Sequence, residues 1–152
     1  MEKDLALRFI ESYRNQDRDG ILDLLAEDVV VSDPHFPVTT MIGKRDVKRG
    51  LNWSFSAIKR SDLEIVNLSV NGSRVHVELD TTHILKVGLQ YHYLQLLKIE
   101  FANEKISSIT TFVTYSPGGL RGFLRRGFAL AWQVSDGLKN ISIKPMTLSD
   151  AP

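Results

Sequence analysis

Apolar residues recur every three or four positions from Leu5 to Ile58, and every second position from Asp62 onward. The first spacing predicts helices and the second predicts half-buried strands. Lys3 to Asn15 carries Leu5, Leu7, Phe9, Ile10 and Tyr13 among charges, a first helix with one apolar side. Asn15-Gln16-Asp17 breaks it, and Asp17 or Asp19 then caps a short second helix whose apolar face is Ile21, Leu22, Leu24 and Leu25. After a turn, Val29-Val30-Val31 is β-branched and continuous and predicts a buried strand, which ends at Asp33 before Pro34. His35 to Thr40 has no period and predicts a loop, part of a rim over Asp33. Val47, Leu51, Phe55 and Ile58 place a third helix over Gly43–Ile58, with Trp53 off its main stripe.

The strand region opens with Leu63, Ile65, Leu68 and Val70 and turns at Asn71-Gly72, two residues that tolerate positive φ. Val75, Val77, Leu79, Thr81, His83 and Leu85 share one face of the next strand, opposite His76, Glu78, Asp80, Thr82 and Lys86. Gly88 leads into Tyr91–Phe101, where Tyr91, Tyr93, Gln95, Leu97, Ile99 and Phe101 share a face. Asn103-Glu104 makes another tight turn before a last long strand, Ile106–Tyr115. Helices first and an antiparallel meander afterwards give an α+β layout with the helices on one sheet face. Beyond Ser116, the stripe Leu120, Phe123, Leu124, Phe128, Ala131 and Trp132 predicts an amphipathic helix within 117–136, followed by a polar tail over 137–152. That helix packs on the domain, builds a dimer interface, binds a partner or, less in keeping with its charge, rests on a membrane.

The order of these pieces resembles the SnoaL-like and ketosteroid-isomerase-like proteins of the nuclear-transport-factor-2-like superfamily. The matching residues are Asp17, Asp19-Gly20, Leu24-Leu25, Glu27-Asp28, Asp33-Pro34 and the glycine-led Ile42-Gly43-Lys44-Arg45-Asp46-Val47, and the likeness runs from Lys3 to Tyr115. The resemblance implies a cystatin-like cone over residues 1–116, in which the sheet curls around the helices and encloses a pocket. It also implies a homodimer. The C-terminal segment is an addition that the simplest members lack.

Composition narrows the function classes. The chain of 152 residues is 43% hydrophobic and 24% charged, an ordinary globular balance in one domain. Nineteen basic against eighteen acidic residues leave a formal net charge of +1, which gives no reason to expect nucleic acid as a partner. The absence of cysteine excludes disulfides, thiolate metal sites and a cysteine nucleophile. Charges throughout residues 1–20 and the lack of a long apolar run predict a cytoplasmic protein that does not span a membrane.

Chemistry centres on Asp33. In the isomerase branch of the resembled family, the aspartate of this Asp-Pro pair moves a proton beside a ketone. Burial at a strand end would raise its pKa toward that of a general base. The alternative is that Asp33 only caps the turn begun by Pro34. The isomerase's oxyanion donors do not carry over. Phe9 stands at the tyrosine position, Leu97 near the carboxylic acid, and Tyr13 lies one turn after Phe9. His83, on an apolar strand face, is either a bonded core residue or an acid–base partner facing Asp33. Tyr13 is the third catalytic candidate. Phe9, His35, Trp53, Phe55, Tyr91, Tyr93 and Gln95 are the candidate pocket walls, mostly apolar with a few polar groups. The four histidines have no metal-ligand spacing, and Gly118-Gly119 and Gly122 do not form a nucleotide loop. No metal or organic cofactor is expected, and no Asp-Arg-Asp relay of the epoxide-hydrolase branch is found. The reading is an isomerase, cyclase or dehydratase for a small apolar carbonyl-bearing or polycyclic ligand, with Asp33 as proton acceptor; the rival is a non-catalytic ligand-binding or interaction module.

Overall fold

The structure, a computed structural model, describes residues 1–113; the helix predicted over 117–136 and the tail over 137–152 lie outside them. Three helices, α1 (Glu2–Arg14), α2 (Arg18–Leu24) and α3 (Gly43–Ala57), precede or interrupt the strands β1 (Leu25–Ser32), β2 (Thr40–Ile42), β3 (Ile58–Asn71), β4 (Arg74–Leu85), β5 (Gln90–Ala102) and β6 (Lys105–Val113). The second helix is capped by Asp17 and not Asp19: its carboxylate accepts from the Gly20 amide at 2.9 Å. No separate turn follows, because Leu25 opens β1 directly from the helix end.

The strands form one curved sheet in the order β2-β1-β6-β5-β4-β3. Four of its pairings are antiparallel, but β1 runs parallel to β6, with Val31 opposite Ile109 and Ser32 opposite Thr110. The meander β3–β6 is antiparallel as its alternation predicts, and the parallel β1–β6 pairing makes the sheet as a whole mixed. Periodicity within a strand specifies its faces and not its distant neighbour. The loop expected over His35–Thr40 ends in β2, a short edge strand whose Met41 is 2% exposed.

One face of the sheet carries the core. Val75, Val77, Leu79 and Thr81 of β4 and Tyr93, Gln95, Leu97, Ile99 and Phe101 of β5 are all buried, as their alternation requires. Ala6 and Ile10 of α1, Ile21 and Leu24 of α2, and Val47 and Leu51 of α3 pack against them. The pattern fails on β3. Its register slips between Ile65 and Asn67, and Ile65, Val66 and Val70 of this edge strand are exposed. The first hairpin also turns one residue later than predicted, at Gly72-Ser73 with Asn71 paired to Arg74. Asn103 and Glu104 do occupy left-handed conformations, φ +50° and +58°.

Gly50 sits inside α3 because the sheet edge comes too close for a side chain. A Cβ there would lie 2.4 Å from the Met41 sulfur and 3.3 Å from the Phe36 ring. Gly50→Ala gains about 1 kcal/mol of helix propensity but overpacks this contact, a cost of about 1–3 kcal/mol. The expected outcome is a net loss of about 1 kcal/mol in urea denaturation; a stabilised variant would show that Met41 moves aside freely.

Candidate functional site

Asp33 follows the last residue of β1, and the parallel register sets it beside Thr111 of β6. The Thr111 hydroxyl donates to Asp33 Oδ2 at 2.9 Å. Pro34 turns the chain back, so that both the His35 backbone N–H and ring Nδ1 meet Asp33 Oδ1 at 2.8 Å. The side chains of Asp33 and His35 retain 16% and 24% exposure. Asp33 thus caps the turn begun by Pro34 and is the centre of a hydrogen-bonded group.

The expected rise in the Asp33 pKa is overturned. Burial does push it up, but hydrogen bonds from the His35 ring and amide and from Thr111, with attraction to the His35 ring, outweigh that push. The carboxyl is held below its ordinary value, so Asp33 is an anion at neutral pH.

A chain of ring contacts leads from His35 toward α1 and α3. His35 stacks on Tyr93 with centroids 4.6 Å apart, Tyr93 meets His83 at 5.7 Å, His83 meets Tyr13 at 6.3 Å, and Tyr13 meets Phe55 edge-on at 5.4 Å. Each is placed by periodicity: Tyr13 by the apolar side of α1, Phe55 by α3, and His83 and Tyr93 by the core faces of β4 and β5. Burial, with repulsion from His35, pushes His83 down to about 4 against the pull of the Asp33 charge. Burial also pushes Tyr13 up to about 12, opposed by its Ser54 hydrogen bond and aided by the Asp33 charge. At neutral pH the site therefore holds one carboxylate within electrostatic reach of an uncharged His83 imidazole and an uncharged Tyr13 phenol.

The three catalytic candidates, Asp33, His83 and Tyr13, come together, with His35, Phe55 and Tyr93 of the proposed walls. Others are less central. Trp53 packs against Phe36 at 6.2 Å, Phe9 packs against the hydrophobic core, and Tyr91 is half-buried opposite His83. Gln95 is buried and donates to Thr81 Oγ1 at 2.8 Å. Sequence reasoning missed the hydroxyls that hold the site: Thr111 on Asp33, Ser54 on the Tyr13 hydroxyl at 3.0 Å, and Ser61 on His83 Nδ1 at 2.8 Å. The signal was available for two of them, since Ser54 and Thr111 are polar residues in apolar stripes. Ser61 lies directly across from His83 in the β3–β4 register, which sequence does not show. Among the described residues, no group of histidines and carboxylates has the geometry to hold a metal ion, and no helix is long and apolar enough to cross a membrane.

Solved structures with the same fold include a putative polyketide cyclase from Xanthomonas campestris pv. campestris, 18% identical, with a TM-score of 0.67 over 82% of this chain and 95% of that one. A putative SnoaL-like polyketide cyclase from Shewanella denitrificans OS-217 is 16% identical, with a TM-score of 0.67 over 89% and 97% of the two chains. An LEH-like epoxide hydrolase from M. tuberculosis is 16% identical, with a TM-score of 0.64 over 88% and 94%. No curated protein matches the sequence. The sequence profile of the SnoaL-like domain matches residues 6–109, so more than half of the chain carries it. With the three helices and six-stranded curved sheet of the nuclear-transport-factor-2-like fold, this chain belongs to the SnoaL-like domain family.

Proposed function

We propose that this protein binds a small, largely apolar molecule bearing a carbonyl or a polycyclic phenol, and moves a proton on it, as an isomerase, cyclase or dehydratase does. The observation that carries this reading is the Asp33 carboxylate, hydrogen-bonded to His35 and within electrostatic reach of Tyr13 and His83, both uncharged at neutral pH. Removing a proton beside a carbonyl leaves an enolate. A base must accept the proton, and hydrogen-bond donors must meet the oxyanion, often the largest single contribution to the rate. The Asp33–His35 group supplies the proton acceptor. The Tyr13 hydroxyl and the N–H that a neutral imidazole retains are donors held in place by Ser54 and Ser61. The ring arc suits a flat apolar ligand, in keeping with the two polyketide-cyclase relatives by fold. An epoxide-hydrolase reading has less support, because the bonded partners of Asp33 described here are His35 and Thr111 and not an arginine.

The test is hydrogen–deuterium exchange in D2O, with a panel of cyclic ketones and polycyclic phenolic ketones followed by NMR. The expected result is protein-dependent loss of the proton signal beside the carbonyl for at least one compound. Compounds that raise the melting temperature without exchanging would make this a binding protein and overturn the catalytic reading.

A further inference from the structure

We infer that Ser61 is a positioning residue: it gives its hydroxyl proton to Nδ1 of His83 and so fixes the ring as an Nε2–H donor to an oxygen of the ligand. This deepens the proposed function and rests on it. A neutral imidazole carries one ring proton, and a serine hydroxyl carries one more. His83 is neutral at pH 7, because burial pushes it down to about 4. Its Nδ1 lies 2.8 Å from Ser61 Oγ, and the one hydrogen bond between them uses one of the two protons. The other is left over, whichever way the bond runs.

The surroundings decide where it sits. Ser61 is 1% exposed, and among the described residues His83 is the one hydrogen-bond partner of its hydroxyl. If Nδ1 held the ring proton, Ser61 would keep a buried O–H with no acceptor, a state that folded proteins avoid. With the hydroxyl donating, Ser61 is satisfied and the surplus proton lies on Nε2. That atom makes no hydrogen bond among the described residues, yet it is not sealed in. Among those residues, His35 Nε2 is the one fully enclosed side-chain nitrogen or oxygen without a hydrogen-bond partner, and the His83 residue as a whole is only partly buried.

Backbone register keeps the pair together, since Ser61 and His83 stand directly opposite each other in the β3–β4 ladder. The Tyr13–Ser54 pair repeats the count. Two hydroxyl protons share one bond of 3.0 Å, and Ser54, 3% exposed, has no other hydrogen-bond partner among the described residues. Two surplus protons therefore belong to neighbouring rings whose centroids lie 6.3 Å apart. They favour a ligand atom that accepts hydrogen bonds, a carbonyl oxygen or the enolate oxygen it becomes, over an amine or ammonium group. His83 itself takes no proton from the substrate, because a protonated Nε2 has no lone pair to offer.

Nitrogen NMR of the parent protein at pH 7 reads the assignment directly and needs no ligand. His83 is expected to show a protonated Nε2 and a bare Nδ1. In the deuterium-exchange assay, Ser61→Ala is expected to lower kcat and leave KM unchanged, since a donor to the forming oxyanion acts in the transition state. Ser61→Thr keeps the hydroxyl and is expected to restore the rate. His83→Phe removes the donor and is expected to lose about 100-fold or more. Circular dichroism confirms that each variant is folded. A proton on Nδ1 in the parent, a parental rate in folded Ser61→Ala or His83→Phe, or a folded Ser61→Thr no faster than Ser61→Ala would each overturn the inference. Absence of exchange in the parent protein overturns the proposed reaction instead, and the nitrogen signals still decide the tautomer.

Discussion

Lowering the pH from 7 to 4.5 should cost this domain about 2–3 kcal/mol of stability through His83 alone. Its imidazole is pushed down to about 4 in the folded state, against 6.5 as the ordinary value. Between those two pH values the unfolded chain binds a proton that the folded chain refuses, so stability rises with pH across the window. It is fully present above about pH 6.5 and lost as the medium is acidified toward 4. The cause is structural: burial beside Tyr13 and Tyr93, and the neighbouring His35, disfavour a second charge. Asp33 does not share this window, because a lowered carboxyl releases its stabilisation only below the ordinary carboxylate value of 3.8. Urea midpoints at pH 7 and 4.5, compared between the parent and His83→Gln, isolate the effect. The parent should lose most of the 2–3 kcal/mol and the variant little of it; equal losses in both would place the acid sensitivity elsewhere.

Asp33→Ala should be the most damaging substitution in the site, at about 3 kcal/mol. It strips the acceptor from three donors at once, and although the Thr111 hydroxyl and the His35 ring can turn, the His35 amide cannot. Asp33→Asn should be far milder, about 1 kcal/mol. Its amide oxygen can keep both bonds from His35, while its NH2 group donates to a Thr111 hydroxyl that now accepts. What Asp33→Asn removes is the negative charge of the proton-accepting group in the proposed reaction, so deuterium exchange is expected to fall about 100-fold or more. Thermal melts and deuterium exchange on the two variants check both halves. A folded Asp33→Asn protein with undiminished exchange would mean that the Asp33 charge plays no part in moving the proton.

Sequence and structure agree wherever a residue's environment is set by its own element. The alternation from Val75 to Thr81 placed every one of its apolar side chains correctly, because β4 lies inside the sheet with a partner on each side. The same alternation misled on β3, an edge strand with a register slip, where Ile65 and Val70 meet solvent. The site divides along the same line. Tyr13, His83 and Tyr93 were legible as polar or aromatic residues on apolar faces. Asp33 was legible as a buried carboxylate at a strand end, but its acidity was not, since burial was visible and its donors were not. Thr111 lies 78 residues away, across a parallel pairing that no local pattern announces. His35 is different. An aspartate that bonds a backbone amide two residues on is a common turn device, and Asp33-Pro34-His35 carried that signal in plain view.

The parallel seam between β1 and β6 also dictates an order of events during synthesis. A chain emerging from the ribosome delivers Asp33 early, yet the strand that must lie beside it leaves last among those described. Until Lys105–Val113 has been made, β1 has only the three-residue β2 as a neighbour, while β3, β4 and β5 can already zip as successive hairpins. The nascent domain therefore waits as two halves: a helical front carrying the carboxylate, and a finished meander carrying His83 and Tyr93. Insertion of β6 joins them and brings Thr111 to Asp33 in the same movement, so the hydrogen-bonded group around Asp33 cannot exist before the fold is closed.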